Sequence, residues 1–304
     1  MPSVKTEERR DHSQMPDRLE PEAALRLLFN GQIAAARAVE AAIGPIGAAA
    51  HMVAEALSRG GRLAYAGAGS SGLMAMADAL ELPGTYGLTG GEVVILLAGG
   101  AESLVDLAGG FEDDADRAAR DVATAGIGAG DVLISVSASG ATPYALAAAD
   151  AARVAGARIV AIANNRGARL FDGADVAILL DTPPEVVSGS TRMGAGTAQK
   201  IALNMLSTMA GIRLGHVHDG HMVNLRADNS KLHGRAARIV GDIAGVTRDE
   251  AQRHLAAASG SVKLAVLIAA GAGDATKAKK ILDAAGQNLR RALEAVAPAR
   301  TARR

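Results

Sequence analysis

The chain contains no cysteine, which excludes disulfides, thiol catalysis and thiolate metal sites. Aromatic residues are also scarce, at 2% of 304 positions, so the core must be built from small aliphatic side chains and close helix packing. Neither sign of charge is in excess, because Lys plus Arg and Asp plus Glu each number 32. Since there is no overall basic field, we expect a small ligand and no nucleic-acid partner.

Long hydrophobic runs are absent as well. The N-terminal segment is charged from Lys5 to Asp11 and has no apolar stretch of the signal-peptide kind. No later apolar run reaches the length of a membrane-spanning helix. These features predict an intracellular, cytoplasmic protein with no membrane partner.

What the sequence does contain is a series of short Val-, Ile- and Leu-rich runs separated by helix-length segments. They lie at 62–66, 93–98, 131–136, 158–163 and 176–180. This pattern is typical of parallel strands buried on both faces. It predicts an α/β fold with a doubly wound, five-stranded parallel sheet, which binds ligands where strands end and helices begin.

Outside these runs the apolar spacing is helical. Two helices with a break near Gly44-Pro45 are predicted between Pro21 and about Arg59. Later helices are predicted at 197–214, 222–243, 248–258, 261–270 and 275–296. The chain thus divides into a polar arm at 1–20, an α/β domain at 21–236 and a three-helix subdomain at 237–304. We interpret the subdomain as a packing or dimer element rather than a separate binding module.

A glycine and serine turn follows the first run, in Arg62-Leu-Ala-Tyr-Ala-Gly-Ala-Gly-Ser-Ser-Gly72. Its glycines permit a sharp turn and a close approach to a ligand, and the amides that open the next helix point at an anion. Ser70 and Ser71 add hydroxyl donors. The turn lacks the Lys of a Walker A motif, and no acidic residue ends the next strand to bind a ribose. We interpret it as a phosphate-binding loop, although a purely structural turn has the same pattern.

Two further hydroxyl-rich turns lead into helices at the same predicted edge of the sheet. Ser137, Ser139 and Thr142 follow the third run, and Thr142 is placed to cap the next helix. The cluster from Glu185 to Arg192, which includes Ser190, opens another helix. A single turn of this kind indicates no more than a capped helix, but three convergent turns favour a phosphate site.

Two glutamates lie beside these turns. Glu81 follows the first helix, and Glu112 follows the second strand and precedes Asp113 and Asp114. Paired carboxylates in different environments suit acid and base roles. The residues alone leave two other interpretations open, in which Glu81 is a polar residue at a helix end and Glu112 belongs to a solvated acidic turn.

The histidines at 216, 218 and 221 invite a metal site, but they lack a supporting acid at ligand spacing. We favour a surface loop or subunit contact there, and no metal. Lys231, on the following predicted helix, is a candidate for the cation that the phosphate loops lack.

Seven stretches match one known family in order and spacing, from about Thr6 to the C-terminal helices. They are Gly67-Ala-Gly-Ser-Ser-Gly, Asp78-Ala-Leu-Glu-Leu-Pro-Gly-Thr-Tyr-Gly, Leu97-Ala-Gly-Gly, Phe111-Glu-Asp, Ala138-Ser-Gly-Ala-Thr-Pro-Tyr, Glu185-Val-Val-Ser-Gly-Ser-Thr-Arg-Met-Gly-Ala-Gly-Thr-Ala-Gln-Lys and Leu203-Asn-Met-Leu-Ser-Thr. Together they resemble the N-acetylmuramic acid 6-phosphate etherases. The resemblance implies a sugar isomerase (SIS) fold, a C-terminal element similar to a ubiquitin-associated domain, and a homodimer.

The resemblance also implies an activity without metal or cofactor: cleavage of the D-lactyl ether of the sugar phosphate by elimination and hydration. The family's catalytic acid falls on Glu81 and its second catalytic glutamate on Glu112. By the same likeness Glu185 contacts the sugar. The residues implied to hold the phosphate are Ser70, Ser71, Ser137, Ser139 and Thr142.

The chain departs from the family pattern at three cations, which are replaced here by Leu73, Ala141 and Gly194. Losing one charged hydrogen bond costs about 1.5–3 kcal/mol, so a doubly anionic substrate would bind more weakly. Pro83-Gly84 also replaces a Pro-Pro pair. We therefore keep a less anionic sugar phosphate, an isomerase-like enzyme and a non-catalytic sensor, like the related glucokinase regulatory protein, as alternatives. Retention of both glutamates favours catalysis.

Overall fold

The computed structural model describes residues 5–8, 15–88, 90–105 and 109–296. Much of the predicted N-terminal arm, at 1–4 and 9–14, lies outside the described residues, as does the end of the predicted subdomain at 297–304. The described residues form two compact units. Those within Met1–Leu80 and Gly90–Met209 form the first, and those within Glu81–Thr89 and Ala210–Arg304 form the second.

The first unit is built on one parallel sheet, as predicted. Its strands are β1 (Leu63–Gly67), β2 (Val93–Leu97), β3 (Val132–Ser137), β4 (Arg158–Ala163) and β5 (Val176–Leu179). Their order across the sheet is β2-β1-β3-β4-β5, and every adjacent pair is parallel. The central strands β1 and β3 are buried along their whole length, which is why their sequences are almost continuously apolar.

Six helices begin in this unit: α1 (Pro21–Ala38), α2 (Ile43–Ser58), α3 (Gly69–Tyr86), α4 (Ala115–Thr124), α5 (Pro143–Val154) and α6 (Gly194–Arg213). The break predicted near Gly44-Pro45 lies slightly earlier, in a 3-10 turn at Glu40–Ala42. Pro45 sits in the first turn of α2, where its missing N–H costs no helical hydrogen bond.

The helical stretch Pro21–Ser58 is long and apolar enough to cross a membrane by length and composition, and a bent pair, Arg248–Ala257 with Val262–Ala272, meets the test if counted as one span. Neither stretch was identified from the sequence, which predicted no apolar run as long as a membrane-spanning helix. Core helices satisfy the same test, so the evidence for a span is weak.

Alanine builds much of the core around the sheet, as the scarcity of aromatics predicted. One buried cluster joins strand, α4 and α5 residues, among them Ala64, Ala66, Leu133, Ala161, Ala118, Val122, Ala145, Ala148 and Ala152. Small side chains let these helices pack closely on the strands.

The second unit has a short hairpin of β6 (Val217–His218) and β7 (His221–Met222), followed by helices. The helices are α7 (Ser230–Ala244), α8 (Arg248–Ala257), α9 (Val262–Leu267, continued as a π turn at Ile268–Ala272), α10 (Ala275–Ala284) and α11 (Leu289–Val296). Val223, Val240, Val266 and Leu282 lie in its own buried core.

Two predicted helices in this unit are wrong. The helix expected at 222–243 begins only at Ser230, because Met222 pairs in the hairpin and the Asn229 side chain caps α7 by accepting from Leu232 N. The helix expected at 275–296 is two helices, since Gly286 and Gln287 take positive φ angles of 62° and 63°. The predicted three-helix count is therefore also wrong, since α8 to α11 are four helices.

Candidate active site

The turn from β1 into α3 can be made only by glycine at two positions. A Cβ added to Gly67 would lie 2.9 Å from Gly72 Cα, and one added to Gly72 would lie 2.9 Å from the Gly67 carbonyl. The backbone closes on itself there, and α3 starts at Gly69 with a φ of +50°. Ser70 and the buried Ser71 occupy its first turn, where helical N–H groups have no intrahelical acceptor.

The turn after β3 gathers three hydroxyls, as predicted. Ser137 Oγ lies 2.8 Å from Thr142 Oγ1 and 3.4 Å from Ser139 Oγ. The backbone N–H of Gly140 donates to Ser137 Oγ at 3.0 Å, and that of Ala141 donates to Ser139 Oγ at 3.1 Å. Thr142 is the N-cap residue of α5, as predicted, although its side chain makes no cap hydrogen bond.

These two turns leave the same edge of the sheet. Strands β1 and β3 are neighbours, and Gly67 at the end of β1 lies opposite Val136 in β3. A Cβ added to Gly67 would also lie 3.2 Å from the Val136 carbonyl oxygen. The first turn and the three-hydroxyl turn are therefore adjacent, which is the arrangement a phosphate cradle requires.

Glu185 caps α6, the helix that follows the third hydroxyl-rich turn. Its side chain is buried, Oε2 accepts from Gly194 N at 2.9 Å, and Oε1 accepts from Ala195 N at 2.8 Å. A Cβ added to Gly194 would lie 3.0 Å from Glu185 Oε2, so this position is crowded. Ser190 lies in the preceding turn, where its carbonyl accepts from Met193 N at 3.0 Å. The carboxylate of Glu185 thus already neutralises part of the positive end of α6.

Glu112 lies against the turn from β1 into α3 rather than in a solvated acidic turn. It belongs to a 3-10 helix at Gly109–Asp113, and its Oε1 lies so close to Gly69 that a Cβ there would clash with it. Burial, and secondly the negative charge of Asp113, raise the pKa of Glu112. The neighbouring Asp114 takes the helix-opening role instead, because its side chain caps α4 by accepting from Arg117 N at 2.8 Å.

Glu81 and Lys231 belong to the second unit. Glu81 is exposed on α3, which runs five residues further to Tyr86 and contains Pro83, so the prediction that Glu81 follows the helix is wrong. Lys231 is exposed in the first turn of α7. The pairing of Glu81 with Glu112, and the contact of Lys231 with a phosphate, stay predictions.

A buried polar network in the first unit was missed by sequence reasoning. Asp78 accepts a hydrogen bond from Tyr65 OH at 2.8 Å and from Ser207 Oγ at 3.0 Å, and Lys200 Nζ lies 4.0 Å away. Burial and the Asp78 carboxylate raise the pKa of the Tyr65 hydroxyl well above its usual value. The available signal was the Tyr65 hydroxyl on an apolar strand and the Asp78 carboxyl on an apolar helix. Once both groups are buried, each requires a hydrogen-bond partner.

The histidine segment shows no metal geometry. Among the described residues no group of three or more His, Cys, Asp or Glu could hold a metal ion. Burial, and secondly the charge of Lys263, lower the pKa of His216 to about 4. His218 Nε2 lies 3.3 Å from Asp219 Oδ2, and His221 Nε2 lies 3.9 Å from Asp242 Oδ2.

Comparison with known proteins extends this picture. A family model described as the SIS domain matches residues 31–164. An N-acetylmuramic acid 6-phosphate etherase of Deinococcus radiodurans is 45% identical over 278 residues, which cover 91% of each chain. One from Mycolicibacterium smegmatis is 42% identical and covers 96% of this chain and 98% of its own. A Bacteroides fragilis structure described as a phosphosugar isomerase involved in capsule formation matches with a TM-score of 0.51 and 20% identity, over 66% of this chain and 95% of its own, and supports the fold alone.

Proposed function

The chain belongs to the N-acetylmuramic acid 6-phosphate etherase family, and from this premise we propose how its site performs the reaction. The enzyme is a carbon–oxygen lyase that converts N-acetylmuramic acid 6-phosphate to N-acetylglucosamine 6-phosphate and D-lactate. One observation carries the assignment of the site: the Glu112 carboxylate lies directly on Gly69, in the turn suited to a phosphate. A reactive carboxylate and an anion cradle are thus placed side by side.

The phosphate binds between the two adjacent turns. Ser70 and Ser71 donate from the first turn, together with the N-terminal amides of α3, and the hydroxyls of Ser137, Ser139 and Thr142 donate from the second. Hydroxyl and amide donors with a helix dipole stabilise an anion without a resident cation. Glu185 and Ser190 face the sugar from the third turn, and Lys231 supplies a positive charge to the substrate.

Glu112 acts as the base and Glu81 as the acid. In the open-chain sugar the C1 aldehyde acidifies the C2 proton, which Glu112 removes. The C–H electrons form the C2–C3 double bond, the C3–O bond breaks, and Glu81 protonates the departing lactyl oxygen. Water then adds its oxygen to C3 while Glu81 takes its proton, and Glu112 returns a proton to C2. A raised pKa makes ionised Glu112 a stronger base.

The alternatives of an isomerase and of a sensor are less favoured. The relatives that match almost the whole chain are named as etherases. A sensor would need the phosphate cradle but not a half-buried carboxylate against it. The etherase must work without the three basic residues that Leu73, Ala141 and Gly194 replace. At position 194 Glu185 crowds the backbone, which gives a local reason for glycine there.

Incubation of the protein with N-acetylmuramic acid 6-phosphate in ¹⁸O-labelled water tests the reaction. We expect D-lactate without label and N-acetylglucosamine 6-phosphate that carries the label at C3, because the water oxygen adds to the sugar. Label in the lactate would instead indicate cleavage on the lactyl side of the ether. Absence of lactate from folded protein would contradict the etherase and direct attention to less anionic sugar phosphates.

We also propose a homodimer through the outer face of α1. Leu25 and Phe29 lie one turn apart on this helix, and 66% and 64% of their surfaces are exposed. Neighbouring large apolar side chains on a surface favour a protein interface. Sedimentation should give a species of twice 30.7 kDa, and the double variant Leu25→Glu, Phe29→Glu should sediment as a monomer. A wild-type monomer would refute this interface. A cytoplasmic location and a role in recycling cell-wall amino sugars stay predictions.

A further inference from the structure

We propose that Phe111 and Arg117 are positioning residues that hold the Glu112 carboxylate on the turn from β1 into α3. The inference rests on the proposed catalytic role of Glu112. The proposed reaction assigns no step to either residue, so we infer that their effect on catalysis passes through Glu112.

Phe111 anchors the 3-10 helix that bears Glu112. A Cβ added to Gly99 would lie 2.5 Å from Phe111 Cδ2 and 2.8 Å from Cγ, so the ring rests directly on the Gly99 backbone. Gly99 has a φ of +83°, a conformation that L side chains rarely adopt. Phe111 also packs against the buried cluster between the sheet, α4 and α5. The residue before Glu112 is therefore packed on the turn that follows β2.

Arg117 holds the ring from α4. Its Cζ lies 5.9 Å from the centroid of the Phe111 ring, within the range of a cation–π contact. Its Nη2 lies 3.3 Å from the place of a Cβ on Gly100, which leaves no room for a side chain there without movement. The guanidinium thus lies close to both the Phe111 ring and Gly100.

Arg117 is in turn tied to the helix that follows the three-hydroxyl turn. Its Nε lies 3.9 Å from Asp121 Oδ2, and the same oxygen accepts a hydrogen bond of 2.7 Å from Tyr144 OH. Tyr144 is fully buried in the first turn of α5, two residues after Thr142. A chain of contacts therefore runs from the phosphate cradle through Tyr144, Asp121, Arg117 and Phe111 to Glu112, which keeps the base in register with the cradle.

The purified full-length variants Phe111→Leu and Arg117→Met test this inference. Because a displacement of about 1 Å costs on the order of 100-fold in rate, we expect kcat to fall roughly 10- to 100-fold. KM should stay near the wild-type value, since the proposed phosphate donors on the two turns are unchanged in both variants. The acid limb of the kcat profile should also move to lower pH, because a released Glu112 gains solvent and loses the burial that raises its pKa.

Two matched variants separate positioning from general disruption. Arg117→Lys keeps a cation above the ring and should recover most of the lost kcat. Arg120→Met removes a neighbouring, exposed arginine of α4 that lies 4.0 Å from Asp114, and should leave kcat unchanged. Wild-type kcat in both Phe111→Leu and Arg117→Met, or a loss with an unmoved acid limb, would overturn the inference. If Phe111→Leu does not fold, Arg117→Met decides.

Glu112→Gln separates the proposed catalytic role of Glu112 from the positioning role of Phe111 and Arg117. If it is inactive while Phe111→Leu and Arg117→Met behave as wild type, only the positioning role is wrong. If Glu112→Gln is fully active, the proposed role of Glu112 itself fails, and with it the basis for positioning.

Discussion

A Glu112→Gln variant is expected to lose about 10²- to 10⁴-fold in kcat, the range that a general base contributes. The amide matches the carboxylate in shape, so it can still rest on Gly69, but it cannot take the C2 proton. KM should not rise, because the phosphate donors stay in place and a negative charge beside them is removed. Steady-state release of D-lactate measures both constants.

The pH profile gives an independent check on Glu112. The base must be ionised, so kcat should fall as pH falls through its pKa, and this limb should lie above the usual glutamate range because burial and Asp113 raise the pKa. Glu102→Gln, at an exposed acid of a nearby 3-10 helix, is the control and should keep wild-type kcat. Retention of more than a tenth of kcat by Glu112→Gln would rule out this glutamate as the base.

The largest effect on stability is expected for Asp131→Ala, at the opposite end of the sheet. Asp131 is buried just before β3, and its two oxygens accept from Arg62 N at 2.8 Å, Arg62 Nη2 at 2.7 Å and Gly128 N at 3.1 Å. Arg62 itself precedes β1 and donates from Nη1 to the Ala125 carbonyl at 2.8 Å. This pair therefore joins the starts of the two central strands.

Removing Asp131 should cost about 3 kcal/mol, because the N–H groups of Arg62 and Gly128 lose their acceptor and Arg62 loses its opposite charge. At about 2–4 °C per kcal/mol, the melting temperature should fall by roughly 10 °C. Asp150→Ala, which breaks an exposed pair with Arg153 on α5, should change the free energy of unfolding by less than about 0.5 kcal/mol. Equal shifts in the two variants would show that the Arg62 pair has no special weight.

This contribution should depend on pH with a definite sign. Burial opposes ionisation of Asp131, but hydrogen bonds from Arg62 and Gly128 outweigh it and hold the pKa below its usual value. The stabilisation is present above the unfolded-state pKa of about 4 and is lost as pH falls through the folded-state pKa. The difference in melting temperature between wild type and Asp131→Ala should therefore shrink as pH is lowered below about 4.

Sequence reasoning failed where a local pattern was overridden by contacts elsewhere. The helix expected from Met222 starts at Ser230 because Met222 pairs with Val217 across a tight hairpin. For Glu112 the sequence left open the alternative of a helix-opening acid, and Asp114, two residues later, is the cap. In both cases the residue types were compatible with either structure, and only the partner decided.

The sequence by itself determined the five strands, their parallel arrangement and the hydroxyl-rich turns at their ends. These features follow from the spacing of apolar residues and from glycines at positions where a sharp turn leaves no room for a side chain. Both are local properties of the chain. Only the tertiary structure decided that Glu112 rests on Gly69, that Phe111 rests on Gly99 beneath Arg117, and that Glu185 caps α6. Contacts of this kind join residues from separate elements through the packing of the sheet and its helices, and no short stretch of sequence encodes them.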